Sequence, residues 1–192
     1  MIFRGLFIGI DQYKYSYIPW LRCAKRDAIA MHAVFTDTLG GQTKLLLDKQ
    51  ATRQEIEMEF QSLSQCAVDD VVIIYFSGHG TDTQELVTYD ADRNDIANTG
   101  IPLGTLTDWF SKIPAKRVLC ILDCCFSGVL GSKVFQTGIK PKDLKSTDDL
   151  IKQLSGDNRL VFTACSEIEE AWENQKIGHG YLTFNLIEGL FG

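Results

Sequence analysis

Val71-Val72-Ile73-Ile74-Tyr75-Phe76 runs apolar without a break and then opens into Ser77-Gly78-His79-Gly80. A short unbroken apolar run closed by glycines is the pattern of a strand buried on both faces, not of one with a wet side. A second run of this kind, Arg117-Val118-Leu119-Cys120-Ile121-Leu122, ends in Asp123-Cys124-Cys125. Working outward, residues 3–10 and 159–163 read as further buried strands, 44–47 as a short one and 85–89 as a minor one. Residues 21–39 set Ala28, Met31, Ala33, Val34 and Phe35 among polar residues, as an amphipathic helix does, and Gly40-Gly41 stops it. Thr52 and Glu55 form a capping box for a helix reaching about residue 64. Residues 106–111, 147–154 and 181–190 are further helical candidates, and 129–145, with its Gly, Lys and Pro, reads as a long loop. Strands alternating with helices predict an α/β fold with a mostly parallel sheet covered on both faces. In such folds functional groups gather at the carboxyl ends of the strands.

The chain has 192 residues, enough for one domain with a core of its own. Hydrophobic residues at 45% and charged residues at 23% are ordinary for a globular protein and speak against disorder. The net charge of -6 argues against nucleic acid as the main partner, because phosphate binding needs a basic surface. No apolar stretch reaches the ~20 residues that span a bilayer, and no signal-peptide pattern opens the chain, so no membrane partner is expected. Of the six cysteines, Cys120 lies in an apolar run and Cys124 and Cys125 are adjacent, which suits a bridge poorly. Reduced thiols in a cytoplasmic protein are the expectation. No Cys-x-x-Cys pair suggests structural zinc. The end at Leu190-Phe191-Gly192, straight after a helix, is expected to be the edge of one domain of a longer polypeptide.

Two of the strands end in reactive side chains. His79 and Cys125 are 46 residues apart, yet neighbouring parallel strands would bring both to one rim. A thiol attacks a carbonyl well only as thiolate. An imidazole can take its proton and later give one to the leaving amine. The N–H groups of Cys125 and Gly80 are candidates for stabilising the oxyanion that develops. Taken singly, each residue has a plainer reading: a buried packing cysteine, a loop histidine, or a fortuitous soft-metal pair.

The string Tyr75-Phe76-Ser77-Gly78-His79-Gly80-Thr81 resembles the histidine motif of caspase-like peptidases. Asp123-Cys124-Cys125-Phe126-Ser127-Gly128 is similar to the metacaspase cysteine motif Asp-x-Cys-His-Ser-Gly, with Cys125 in the nucleophile's place. Residues 21–28, ending Asp27-Ala28, resemble the family's first-helix motif. Thr163-Ala164-Cys165-Ser166-Glu167, continuing to Glu173, and Gly180-Tyr181-Leu182-Thr183 resemble its late strand and the turn into its last helix. The resemblance implies a three-layer α/β/α sandwich, the caspase–hemoglobinase fold. It also implies a cysteine endopeptidase with a His79–Cys125 dyad and a protein or peptide substrate. The domain would divide into a large-subunit-like part over about 1–128, a linker over 129–158 and a small-subunit-like part over 159–192. Phe126 departs from the motif's histidine, beside the nucleophile and not at the base. Residues 81–102 lack the long acidic insertion of some metacaspases.

Caspases carry a Gln two residues before the nucleophile and cut after Asp. Here that position is Asp123, whose carboxylate would repel Asp and attract Arg or Lys. The metacaspase pocket residues fall on Asp27, Ser77 and Asp123, which predicts cleavage after basic residues. Asp27 as a helix cap and Asp123 as a turn former are the plainer alternatives. Many metacaspases need calcium, and Asp90, Asp92 and Asp95 are oxygen-rich, but their spacing is not that of an EF-hand, so no obligatory metal or cofactor is expected. Trp20, Trp109 and Trp172 are expected to pack, with lining the substrate groove as the alternative for Trp172. Lys133, Lys140, Lys142 and Lys145 are candidate self-cleavage sites in the linker. Small domains of this kind resemble those fused to sensor modules in signalling or defence systems, so a fused or associated regulatory domain is a further expectation. Three readings compete: a non-catalytic caspase-like scaffold, an Asp-specific peptidase, and a nucleotide-binding α/β domain. The last lacks both the Gly-x-Gly-x-x-Gly turn and the P-loop spacing.

Overall fold

A computed structural model describes residues 1–126, 158–164, 173–174 and 178–191. In chain order the elements are β1 (Phe3–Gly9), α1 (Ala24–Leu39), β2 (Gln42–Leu47), a 3-10 turn (Asp48–Gln50), α2 (Arg53–Leu63) and β3 (Val71–Ser77). There follow β4 (Glu85–Leu86), α3 (Ile96–Thr99), β5 (Ile101–Pro102), α4 (Leu103–Ser111) and β6 (Arg117–Asp123). Then come β7 (Arg159–Thr163), β8 (Glu173–Asn174), β9 (His179–Gly180) and α5 (Tyr181–Phe191). The central sheet has the order β2-β1-β3-β6-β7, with every pairing parallel.

Alternation along each strand divides the core into two. Leu6 and Ile8, Val72, Ile74 and Phe76, and Cys120 and Leu122 pack with Ile56 and Phe60 of α2 and with Leu106 and Phe110 of α4. Phe3, Phe7, Ile73, Tyr75 and Ile121 pack on the other face with Ala28 and Met31 of α1, and Leu182 and Leu186 of α5 lean on them. The sheet is therefore the middle layer of an α/β/α sandwich. Both faces of the central strands β1, β3 and β6 are dry, so these strands read as nearly continuous apolar runs. Burying a side chain such as Phe7 or Ile74 contributes roughly 1.5–3 kcal/mol.

Strand boundaries agree with the sequence to within a few residues. Thr52 caps α2 as the sequence predicts, its hydroxyl accepting the Glu55 N–H at 3.2 Å. Helix α1 starts at Ala24, three residues later than the periodicity suggests. The Leu21 N–H bonds instead to the Asp11 carbonyl at 2.9 Å, which ties the incoming chain to the loop after β1. The helix expected over 147–154 and the loop over 129–145 lie outside the described residues.

Candidate active site

The sheet sets the geometry at the rim. Strands β3 and β6 are paired in parallel register with Ser77 opposite Asp123. His79 and Cys125 each stand two residues beyond that pair, on adjacent strand exits. The Gly78 N–H reaches the Asp123 carbonyl, and the turns close so tightly that a Cβ built on Gly80 would lie 2.4 Å from the Cys125 carbonyl oxygen. No residue with a side chain fits there without moving backbone. Gly80 also bridges Leu86, through bonds made by its neighbours: Val87 N–H to the His79 carbonyl and Thr81 N–H to the Glu85 carbonyl. In an antiparallel bridge of that kind the central residue's own N–H points away from its partner. The Gly80 N–H therefore faces away from β4.

His79 is buried and held on three sides. Its backbone N–H donates to the Tyr13 hydroxyl at 2.9 Å, and the Tyr13 ring stacks on the imidazole at 5.3 Å between centroids. Its Nε2 lies 2.8 Å from the Pro19 carbonyl oxygen. A carbonyl can only accept, so Nε2 carries the proton in the neutral ring and the basic lone pair is on Nδ1. Burial pushes the Tyr13 phenol far above its ordinary pKa, so it stays a neutral hydroxyl.

The adjacent cysteines differ. Cys124 points into the core with 1% exposure, and burial, aided by the Asp123 charge, pushes its thiol pKa well up. Cys125 is half-buried. Cys23, Cys66, Cys120, Cys124 and Cys125 all carry thiols, in line with the reading against disulfides for these five. Cys165 lies outside the described residues.

The three pocket residues of the sequence reading converge. Asp27 is in the first turn of α1, yet the helix N-cap is Cys23 and the carboxylate does not cap it. Its oxygens reach across to β9, Oδ1 to His179 Nδ1 at 2.5 Å and Oδ2 to the Gly180 N–H at 3.0 Å. Asp123 Oδ2 accepts the Thr183 hydroxyl at 2.6 Å, and the Tyr75 hydroxyl donates to Thr183 at 2.6 Å. A Cβ on Gly180 would lie 3.0 Å from Asp123 Oδ2 and 3.2 Å from Asp27 Oδ2, so both carboxylates face the one bare backbone position. Burial, with the Asp123 charge adding to it, pushes the Asp27 carboxyl up to about 6, against the pull of Gly180 and His179. The Tyr75 phenol is raised by burial and by the charges of Asp123 and Asp27, while bonds to Thr183 and Ser77 pull it back. Ser77 is thus part of the same cluster.

Other expectations resolve differently. Trp109 packs on Phe60, with ring centroids 5.3 Å apart. Trp20 does not pack: it is 66% exposed, because the chain turns Pro19 toward His79 and leaves the next side chain outside. Asp90 accepts from the Arg53 N–H at the start of α2, Asp92 from the Asn94 N–H and the distant Tyr17 hydroxyl, and Asp95 from Asn98, so each carboxylate already has a structural partner. Among the described residues no three His, Cys, Asp or Glu side chains converge as metal ligands would, and no helix is long and apolar enough to cross a membrane. Trp172 and Lys133, Lys140, Lys142 and Lys145 lie outside the described residues. Sequence reasoning missed Pro19, which acts through a carbonyl and leaves no side-chain signal. It also missed Tyr13, a single residue with no motif around it, and His179, which stands just before the Gly180–Thr183 string and outside it.

A caspase-domain family model matches residues 4–190, nearly the whole chain. The chain belongs to the caspase-domain family. This is a family of the cysteine-peptidase type. The crystal structure of protein GSU0716 from Geobacter sulfurreducens superposes with a TM-score of 0.69 at 18% identity, covering 98% of this chain and 81% of that one. At that identity the likeness bears on the fold alone, and it agrees with the sandwich described above. No curated protein matches the chain.

Proposed function

We propose that this caspase domain is a cysteine endopeptidase that cuts proteins after Arg or Lys, with Cys125 as nucleophile and His79 as base. The observation that carries the reading is the convergence of Asp27 and Asp123 on Gly180, with Asp123 two residues before Cys125 on the same strand exit. Two buried carboxylates facing a side-chain-free position suit a guanidinium or ammonium and repel an acidic side chain. A carboxylate has about four acceptor sites. The bonds Asp27 makes to His179 and Gly180 leave it capacity for a substrate cation.

Nδ1 of His79 takes the Cys125 thiol proton, and the thiolate adds to the scissile carbonyl. The N–H groups of Gly80 and Cys125 receive the oxyanion. The imidazolium gives its proton to the departing amine as the C–N bond breaks, and water then hydrolyses the thioester with His79 as base. No metal or cofactor enters these steps. Self-cleavage after Lys133, Lys140, Lys142 or Lys145, or a fused or associated sensor domain, would activate such an enzyme in a signalling, cell-death or defence setting.

Cleavage of a mixed peptide library by wild type and by Cys125→Ala tests the reading. Cuts after Arg and Lys that vanish in the variant are expected. Cuts after Asp would overturn the specificity, and tight peptide binding with no cutting by wild type would favour a scaffold.

A further inference from the structure

A groove beside the His79 turn, reached through Tyr13, is unaccounted for by the reaction. It has a volume of about 520 Å³; Tyr13, Trp20, Leu47 and Tyr89 form an apolar and aromatic wall, and the rest of the lining is polar: Gln12, Lys49, Gln50 and the Lys25–Asp48 ion pair. Across the rim the strand order is β2, β1, β3, β6. The groove sits at the ends of β1 and β2, next to the His79 turn, whereas Asp123 of the carboxylate pocket stands at the end of β6. Its walls are fixed to the base itself. Tyr13 stacks on His79 and holds its N–H, and Trp20 directly follows the Pro19 carbonyl that holds Nε2. The loop that carries these residues is pinned at both ends of the groove. Asp48 Oδ1 accepts from the N–H groups of Asp11 and Gln12, and the Lys14 N–H donates to the Tyr89 carbonyl. Asp48 holds a left-handed backbone with φ 44° to do so, a strain that persists only where surroundings enforce it.

The chemistry of the dyad decides what belongs there. In acyl transfer the acyl half of the substrate stays on the cysteine, and the amine half leaves from beside the imidazole that protonates it. The chain beyond the cut therefore departs on the His79 side. Each extended residue advances the chain by about 3.3–3.6 Å, so the first two residues past the bond run over His79 toward Tyr13 and Trp20. Resting on the peptidase reading, we propose that this groove is the binding site for the leaving segment of the substrate. It selects a bulky apolar or aromatic side chain within the first two residues after the cut. An exposed indole beside a tyrosine and a leucine is the kind of wall that takes such a side chain, and Trp20 has no packing role that would otherwise explain it.

Peptides identical up to the cleaved Arg, carrying Gly, Leu or Phe at each of the next two positions, test this. The readout is the ratio of kcat/KM for the bulky peptide to that for the Gly peptide, which cancels any change in the dyad. Wild type should favour the bulky residue by about tenfold, the effect of burying one sizeable side chain. Trp20→Ala, and independently Leu47→Glu, should bring the ratio close to one, and Trp20→Phe should keep most of it. A wild type that cuts after Arg with a flat ratio, or a ratio that both variants leave intact, overturns the groove and spares the peptidase reading. A wild type that cuts none of these peptides removes both.

Discussion

The backbone of Gly80 is packed against that of Cys125, with 2.4 Å between the place of a Gly80 Cβ and the Cys125 carbonyl oxygen. The turns carrying His79 and Cys125 are therefore in direct main-chain contact. Gly80→Ala should push the nucleophile turn out of place and lower kcat/KM by at least about tenfold, the scale of loss when reacting groups are displaced by even 1 Å. Steady-state kinetics on an Arg substrate, with circular dichroism to confirm folding, check this. Near-normal turnover in a folded variant would show that the contact is dispensable.

Cys124→Ala should leave proteolysis within about threefold, whereas Cys125→Ala should abolish it, a loss on the order of 10³-fold or more. The contrast follows from burial: Cys124 is 1% exposed with its thiol pKa pushed up, and Cys125 is reachable from outside. Mass spectrometry after treatment with an arginyl chloromethyl ketone locates the alkylated residue, and a label on Cys124 would reverse the assignment.

Binding in the carboxylate pocket should weaken in mild acid. The Asp27 carboxyl is raised to about 6 by burial and by Asp123 from β6; His179 from β9 opposes this, and the neutral Tyr75 phenol from β3 adds no charge. Arg26, beside Asp27 on α1, bonds the Gly178 carbonyl at 3.0 Å. A cationic ligand needs the ionised form, which is lost as pH falls through that value. The inhibition constant of benzamidine, which does not react with thiols, should be flat above pH 7 and rise about tenfold per unit well below pH 6. Asp27→Asn should bind benzamidine weakly with little pH dependence, and a wild-type constant unchanged down to pH 5 would exclude Asp27 from the pocket.

Acid stability has a different source. Asp70 is held at about pKa 2 by the Arg4 guanidinium, with further bonds from the N–H groups of Ile2 and Ala67. A carboxyl whose folded pKa is depressed stabilises the fold above its unfolded value near 4, and that contribution drains away as pH falls from about 4 through 2. Asp70→Asn should lower the urea midpoint at pH 7, and the gap to wild type should close by pH 2. An equal gap at both pH values would mean that the charge is not what matters.

If the enzyme regulates itself, wild type but not Cys125→Ala should yield fragments ending at Lys133, Lys140, Lys142 or Lys145 by intact mass. A wild type that stays one uncut chain while cleaving an added basic substrate would place the control elsewhere.

The frame of the molecule is legible because β1, β3 and β6 are buried on both faces, so past Arg4 and Arg117 at their starts their runs stay apolar up to the strand exits. The pieces that escaped are short or non-local. β5, β8 and β9 are two residues each, and no periodicity can be read from two residues. Asp27 and Asp123 were legible through their place in motifs. Their contacts with Gly180 and Thr183 were not, since those residues come from far along the chain and bond through a backbone N–H and a hydroxyl that any sequence contains. Trp20 was misjudged because indoles usually pack. Its exposure follows from where Pro19 must aim its carbonyl, which composition does not encode.

That carbonyl has a consequence for how the domain tolerates change. A role performed by main chain cannot be erased by swapping the side chain at position 19, so substitution scanning will pass over the residue as neutral. What the carbonyl does need is a fixed path length from β1 to α1, the stretch between Gly9 and Ala24. Outside its buried anchors Ile10, Tyr13, Ile18 and Cys23, the loop should therefore accept many substitutions but very few insertions or deletions. A one-residue deletion there should silence the enzyme while every residue of the dyad and pocket is still in place.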